Sequence, residues 1–216
     1  MPDRTEKPLI RIIDDDPELC EAQSIYIRYC GLDCVTYPTA DQFLAQDDLS
    51  RPGCLILDVE MPGMNGLTLQ QEMGRRGIDL PILFLSAHGS IAIAIQCVRR
   101  GAFNFLEKPP DPDQLIDLVN QAIRKNLADR RQKRYARALR QRYDTLTAAE
   151  KQVAVMVAKG LNTPTIAEVL KVSENTVKSH RRNLYSKLDV ANPVELNELL
   201  QDMEPTDQVS EKTSRA

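Results

Sequence analysis

Two patterns of apolar positions alternate along the first 123 residues of the chain. Short runs that are apolar nearly throughout stand at residues 9–13, 34–37, 54–57, 81–85 and 103–106. Stretches with helical periodicity separate them, at about residues 17–30, 39–47, 66–76, 90–100 and from 112 onward. Apolar strands that alternate with helices indicate a parallel sheet covered on both faces. Five such units predict a doubly wound α/β domain with a five-stranded parallel sheet.

The fifth helix is predicted to continue beyond the end of this domain. Asp111 and Pro112 form a cap and first-turn pair, and neither Gly nor Pro follows until Gly160. Residues 124–142 contain nine Lys and Arg but a single acid. We therefore expect a helical linker over residues 126–144. Its charge has two interpretations, a solvated helix face or a source of phosphate contacts near a nucleic acid.

Four short helices are predicted after the linker. They begin near Thr147, which forms a capping box with Glu150, and near Pro164, Ser173 and Pro193. The last 13 residues lack aromatic and large aliphatic side chains except Val209, a composition typical of disorder. The expected organisation is therefore an α/β domain over 1–125, the linker, an all-α domain over 145–203, and a disordered tail over 204–216.

Charge is distributed unevenly between the two parts of the chain. Hydrophobic residues make up 42% and charged residues 27%, which is ordinary for a soluble globular protein. The net charge of -3 combines a balance of -9 over residues 1–123 with one of +6 over residues 124–216. An acidic first part joined to a basic second part favours two domains, the second of which faces a polyanion.

The five cysteines all lie in the first half of the chain, at Cys20, Cys30, Cys34, Cys54 and Cys97. Their odd number and their spacing suit neither a zinc site nor a disulfide framework. We expect reduced and mostly buried thiols in a cytoplasmic protein. The polar start of the chain and the absence of a long apolar run predict neither a signal peptide nor a membrane anchor.

Polar side chains stand where the predicted strands end. The residues concerned are Asp14, Asp15 and Asp16 after the first strand, Asp58 on the third, Ser86 on the fourth and Lys108 after the fifth. The carboxyl ends of parallel strands form one edge of the sheet, where ligands bind. Crowded carboxylates are costly unless a cation joins them, and oxygen ligands of this kind suit Mg²⁺.

The segments IIDDD, LDVEMPGMNG, LSAHGS and FNFLEKP resemble, in this order, the receiver domain of bacterial two-component systems. The resemblance covers about residues 9–125, and the SAHGS segment is similar to the FixJ subfamily. It implies that Asp58 accepts a phosphoryl group from a sensor histidine kinase as a carboxylate nucleophile. It also implies that Asp14, Asp15 and Asp58 hold Mg²⁺ together with the backbone carbonyl of Glu60.

The same resemblance implies a switch that starts at the phosphoacceptor. Lys108 offsets charge on the transferring phosphoryl group. Ser86 supplies a hydroxyl that moves toward the acyl phosphate, and Phe105 is the aromatic switch residue or, alternatively, a core aromatic. Asp16 is either a first-turn residue favoured by the helix dipole or a metal ligand. His88 is either a loop residue or a modulator of dephosphorylation.

Residues 146–200 resemble the helix-turn-helix of the LuxR/NarL type. On its third helix, Val177, Leu184 and Leu188 fall on one apolar stripe, and polar and basic side chains lie opposite. Such side chains suit the major groove of DNA. The predicted DNA-contacting residues are Asn175, Thr176, Lys178, Ser179, Arg182 and His180. For His180, phosphate contact and helix packing are equal alternatives.

These features predict a response regulator that acts on transcription and is not an enzyme. Its expected partners are a sensor histidine kinase, double-stranded promoter DNA and RNA polymerase, and phosphorylation is expected to produce a homodimer. Two alternatives remain. A DNA-binding protein could be controlled by a partner or by redox state instead of phosphate. The acidic crevice could also belong to a Mg²⁺-dependent phosphatase, although a second catalytic acid is missing.

Overall fold

The computed structural model describes residues 7–87 and 91–203. The chain divides into two units, Met1–Arg130 and Arg131–Ala216, and each is treated by itself. Two expectations, the disordered tail over 204–216 and the role of His88, lie outside the described residues.

The first unit contains a five-stranded parallel sheet in the order β2-β1-β3-β4-β5. The strands are β1 (Leu9–Ile13), β2 (Asp33–Tyr37), β3 (Gly53–Asp58), β4 (Ile82–Ser86) and β5 (Asn104–Glu107). The helices are α1 (Pro17–Tyr29), α2 (Ala40–Gln46), α3 (Gly66–Arg76), α4 (Ile91–Arg99) and α5 (Pro112–Asp144), which continues into the second unit. The predicted doubly wound α/β class is confirmed.

Apolar side chains cover both faces of this sheet, as the strand patterns predicted. Helices α2, α3 and α4 pack on one face, where Phe43, Leu69 and Cys97 are buried. Helices α1 and α5 pack on the other face, where Ile27 and Val119 are buried. The three central strands β1, β3 and β4 are buried at every position, which explains their apolar sequences.

A charged residue is buried inside β1, which the apolar pattern did not predict. The side chain of Arg11 is fully buried, and its Nε lies 3.0 Å from an equally buried Asp47 Oδ2. The Tyr37 hydroxyl donates to Asp47 Oδ1 at 2.8 Å. The Arg11 guanidinium also donates to the backbone carbonyls of Leu9, Asp48, Arg51 and Pro52. Because its hydrogen bonds are satisfied, the guanidinium can replace an apolar side chain here.

Two polar residues of α5 fasten this helix to loops at the amino ends of the strands. Asn126 accepts a hydrogen bond from the Gly53 amide at 3.0 Å and donates to the Asp79 carbonyl at 2.7 Å. Arg130 pairs with the Asp79 carboxylate at 2.7 Å. It also donates to the carbonyls of Leu49 and Ser50. The first unit therefore holds α5 as far as Arg130.

Over residues 131–203, the second unit contains helices and no strand. It comprises the end of α5, α6 (Ala148–Ala158), α7 (Thr163–Leu170), α8 (Glu174–Leu188) and α9 (Pro193–Met203). The predicted capping box of Thr147 and Glu150 is present at the start of α6. Its core gathers buried side chains such as Leu139, Val153, Ile166 and Leu184. In the described part of the chain, no helix is both long and apolar enough to cross a membrane.

The buried ion pair in the first unit leads to a stability prediction. Asp47→Asn removes the negative charge that pairs with Arg11, so the positive charge of the buried guanidinium is left without a counter-charge in this pair. We expect the free energy of opening of the β1 amides, measured by native-state hydrogen exchange, to fall by roughly 3–5 kcal/mol. The matched control Asp117→Asn lies on the exposed side of α5. Equal effects of the two substitutions would contradict a structural role for the pair.

Candidate phosphorylation site and nucleic-acid interface

Three carboxylates meet at the carboxyl edge of the sheet. Asp14 directly follows β1, and Asp58 is the last residue of β3. Because β1 and β3 pair in parallel with Ile13 opposite Leu57, the two aspartates emerge side by side. Ligand oxygens of Asp14, Asp15 and Asp58 lie within 4.8 Å of one another. Asp14 and Asp58 are buried, whereas Asp15 is exposed.

The ammonium of Lys108 joins the two buried carboxylates. Its Nζ lies 2.6 Å from Asp14 Oδ2 and 3.1 Å from Asp58 Oδ1. The backbone amide of Lys108 donates to the Ser86 carbonyl at 2.9 Å, which ties the chain after β5 to the end of β4. A cation thus sits where two like charges would otherwise repel each other.

Burial and charge act in opposite directions on the protonation of this site. Burial raises the pKa of the Asp58 carboxyl above its ordinary value, although the hydrogen bond from Lys108 counteracts it. Burial acts to lower the pKa of Lys108, but hydrogen bonds to Asp14 and Asp58 outweigh it, so the pKa is raised. Lys108 therefore remains a cation at neutral pH.

The start of α3 lies against the end of β3. The Gly66 amide donates to the Val59 carbonyl at 3.0 Å. A Cβ atom at Gly66 would overlap the backbone carbonyl oxygen of Asp58, so only glycine fits there. The loop between β3 and α3 is thereby folded back over the strand end. It includes Glu60, whose backbone N–H hydrogen-bonds the Asp58 carboxylate.

The two predicted switch residues lie on the neighbouring strands. Ser86 is the last residue of β4 and is 1% exposed. Phe105 lies in β5 opposite Phe84, and it is half-buried against the core cluster that contains Phe84. Its half-burial places it between the two alternatives of a switch side chain and a core aromatic.

Asp16 caps a helix. Its Oδ1 accepts hydrogen bonds from the amides of Glu18 at 3.0 Å and Leu19 at 3.1 Å, at the start of α1. Its own amide donates to Asp14 Oδ1 at 3.0 Å, which helps to orient that carboxylate. These contacts favour the helix-end interpretation of Asp16 over metal ligation.

Sequence reasoning did not connect Cys20 with this site. Its thiol is buried and donates to the Asp14 carbonyl at 3.5 Å. Burial raises the pKa of Cys20 to about 11, so the thiol is protonated at neutral pH. A usable signal was its apolar character one helical turn after Asp16, because the buried face of α1 packs against the sheet close to the end of β1.

Helix α8 presents one apolar and one polar face, as its periodicity predicted. Val177, Leu184 and Leu188 are buried. Four of the predicted DNA-contacting side chains are exposed, namely Asn175, Lys178, Ser179 and Arg182. The other two, Thr176 and His180, are half-buried. The Thr176 amide donates to the N-cap Ser173 hydroxyl at 3.1 Å, so this residue also belongs to the helix start.

Two basic residues fix α8 to its neighbours, and sequence reasoning did not find their contacts. Arg181 Nη1 donates to Thr163 Oγ1 at 2.9 Å, at the start of α7, and Nη2 donates to the Tyr185 hydroxyl at 3.2 Å. Lys187 Nζ lies 2.7 Å from the buried carboxylate of Glu150 on α6. These contacts hold the polar face of α8 in a defined orientation.

Two family models match the chain, the first over the part that contains the acidic site and the second over the part that contains α8. Residues 10–120 match the response regulator receiver domain. Residues 144–200 match the luxR family of bacterial regulatory proteins. The chain belongs to the two-component response regulators. Within this class it is a transcriptional regulator that combines a receiver domain with a LuxR-type helix-turn-helix.

Known response regulators align over most of this chain. The response regulator protein TodT of Pseudomonas putida is 37% identical over 85% of this chain and 81% of its own length. The transcriptional regulatory protein FixJ of Bradyrhizobium diazoefficiens is 31% identical over 89% of this chain and 94% of its own. A solved structure of the response regulator StyR is 34% identical and superposes with a TM-score of 0.83, covering 90% of this chain and 98% of that one.

The raised pKa of Asp58 predicts a pH-dependent gain in stability on its neutralisation. A raised pKa means that the folded state favours the protonated carboxyl of Asp58. The stability that protonation contributes is therefore lost as the pH rises through the raised value. Asp58→Asn should therefore raise the urea midpoint of the full chain at pH 7. The gain should shrink as the pH falls toward the ordinary aspartate value of about 3.9. A gain independent of pH would contradict this cause.

Proposed function

We propose that Asp58 accepts a phosphoryl group from a sensor histidine kinase and that this modification controls promoter binding by α8. The proposal rests on the position of Lys108, whose Nζ lies 3.1 Å from Asp58 Oδ1 and 2.6 Å from Asp14 Oδ2. An Asp58 oxygen attacks phosphorus while the bond from phosphorus to the kinase imidazole breaks. The imidazole keeps the electron pair, and an acyl phosphate forms on Asp58.

The donor set at the sheet edge fits a magnesium ion. It consists of oxygen atoms alone, and the carboxylates of Asp14, Asp15 and Asp58 are close enough to share one cation. We propose that these residues and the backbone carbonyl of Glu60 hold Mg²⁺. The bound ion would supply positive charge beside the phosphoryl oxygens. Lys108 supplies a second positive charge on the side of Asp14 and Asp58.

Ser86 and Phe105 would carry the change away from the phosphoacceptor. An acyl phosphate places new acceptor oxygens near the ends of β3 and β4, and the Ser86 hydroxyl can donate to one of them. A shift of the β4 end toward the phosphoryl group leaves room beside β5 for the half-buried Phe105 ring. The surface of α4, β5 and the receiver part of α5 is thereby altered.

This surface is where we propose that a homodimer forms. On α4, Ile95 and Val98 are about half exposed, at 48% and 54%, and two apolar side chains one turn apart on one helix suit a contact with a second copy. A two-fold dimer would bring two copies of α8 to DNA half-sites about one helical turn apart. Two-site binding would strengthen attachment to the promoter only after phosphorylation.

We further propose that the exposed side chains of α8 bind bases or phosphates in the major groove. Lys178, Ser179 and Arg182 supply donors on the outward face, and Asn175 lies one turn before them. Thr176 and His180 flank this face and suit phosphate contacts. The protein would act in the cytoplasm, where RNA polymerase is the machinery that it recruits or blocks.

A phosphorylation assay tests the phosphoacceptor. Full-length protein with phosphoramidate and Mg²⁺ should gain the mass of one phosphoryl group, and hydroxylamine should remove it, as expected for an acyl phosphate. Asp58→Asn, or removal of Mg²⁺ by EDTA, should abolish the gain. The matched control Asp117→Asn should be modified like the wild type. Equal modification of Asp58→Asn would exclude Asp58 as the phosphoacceptor, whereas no modification of the wild type would favour control without phosphate.

Arg182→Ala tests the DNA-contacting face. On a duplex selected from a randomised library by the full-length protein, the substitution should weaken binding by roughly 1–3 kcal/mol while leaving binding to mixed-sequence DNA nearly unchanged. The exposed Lys159 at the C-terminal cap of α6 is a matched control, and Lys159→Ala should keep the preference for the selected duplex. Full preference in Arg182→Ala, measured by fluorescence anisotropy, would move the contacting face elsewhere.

A further inference from the structure

The second unit begins with a strongly basic helical segment that the proposed function does not use. Residues 131–142 of α5 contain six basic residues and no Asp or Glu. The six are Arg131, Lys133, Arg134, Arg137, Arg140 and Arg142, and all are exposed. We call this stretch the basic segment of α5.

Three arginines of the basic segment form a stripe on its outer face. Arg131, Arg134 and Arg137 are spaced by three residues, so they fall within about 120° of the helix circumference. Leu139 lies on the opposite side and is buried in the core of the second unit. The stripe therefore faces solvent, and it extends over about 9 Å along the helix axis.

The stripe differs from other basic positions in how its charge is balanced. On α3, Arg75 and Arg76 both pair with Glu72, and on the receiver part of α5 Lys125 pairs with Asp129. Within the described residues, the arginines of the stripe make no ion pair. Like charges three or four residues apart destabilise a helix by a few tenths of a kcal/mol per pair. A polyanionic partner would remove this repulsion.

The position of the basic segment identifies that partner as DNA. The segment belongs to the same unit as α8, and the ends of the two helices are close together. Arg142 Nη1 lies 3.7 Å from Asp189 Oδ2, at the C-terminal cap of α8. Lys187 of α8 donates to the carbonyl of Thr145, the residue that follows α5. The C-terminal end of the basic segment therefore lies beside the C-terminal end of α8, on the same unit that is proposed to bind the duplex.

We propose that Arg131, Arg134 and Arg137 bind the phosphates of DNA that flanks the sequence contacted by α8. This inference rests on the proposed function of α8. The contacts are independent of sequence, because phosphates position a protein on the duplex without specifying bases. They extend the footprint beyond the major-groove site and increase the salt dependence of binding.

The test compares the salt dependence of DNA binding by full-length variants. The duplex is a library-selected site prepared with and without ten flanking base pairs on each side, and affinity is measured by fluorescence anisotropy between 50 and 200 mM salt. Arg134→Ala/Arg137→Ala removes two charges and keeps good helix formers. If each arginine neutralises one phosphate, raising the salt from 50 to 200 mM should weaken wild-type binding to the flanked duplex about 12-fold more than it weakens binding by this variant.

Controls separate local contacts from net charge. Arg124→Ala/Lys125→Ala removes the same charge from the receiver part of α5 and should behave like the wild type. Arg134→Lys/Arg137→Lys should also keep the wild-type salt dependence. On the duplex without flanks, the wild type and the Arg134→Ala/Arg137→Ala variant should have the same salt dependence.

Two results would overturn the inference. One is an unchanged salt dependence in Arg134→Ala/Arg137→Ala on the flanked duplex, and the other is an equal reduction in the Arg124→Ala/Lys125→Ala control. In both cases, a preserved preference for the selected site over mixed-sequence DNA would leave the proposed function of α8 intact. Failure of the wild type to prefer any selected duplex would instead contradict the proposed function.

Discussion

Repulsion between two buried carboxylates, and its relief by one ammonium, is the interaction on which the receiver site depends. The parallel pairing of β1 and β3 forces Asp14 and Asp58 to leave the sheet side by side. Lys108 reaches both from the end of β5, which is separated from β3 by β4. The strand order thus brings together groups that are distant in sequence. A phosphoryl group on Asp58 would change the charge that Lys108 balances, so a local reaction would alter contacts across three strands.

The two edges of the sheet carry different kinds of polar residues. At the carboxyl edge the charges converge on one crevice and remain accessible through Asp15. At the amino edge, Arg11, Asn126 and Arg130 donate hydrogen bonds to loop carbonyls, and the two arginines also pair with carboxylates. Their polar groups therefore stabilise the fold. The second arrangement stabilises the strands and α5 without offering a ligand a free group. The predicted functional groups therefore concentrate at the carboxyl edge, and the contacts that hold the fold concentrate at the amino edge.

Local periodicity was sufficient to predict the elements, because strands buried on both faces and amphipathic helices leave different patterns of apolar residues. The same reasoning predicted the buried stripe of α8. It failed for Arg11, since its partner Asp47 lies 36 residues away and no local pattern reveals a buried ion pair. For the same reason the contact of Arg181 with Thr163 was missed. The sequence could place Asp14, Asp58, Ser86 and Lys108 at one edge of the sheet because each stands at or next to a strand end, but the capping contacts of Asp16 needed coordinates.

The central claim is that phosphorylation of Asp58 controls DNA binding, and a single comparison of affinities tests it most directly. The Kd of the full-length protein for a library-selected duplex is measured with and without phosphoramidate and Mg²⁺, for the wild type and for Asp58→Asn. The account predicts that the phosphodonor tightens wild-type binding at least tenfold, which is about 1.4 kcal/mol, and leaves the variant unchanged. Equal affinities of the wild type in both conditions, or equal tightening in the variant, would contradict it.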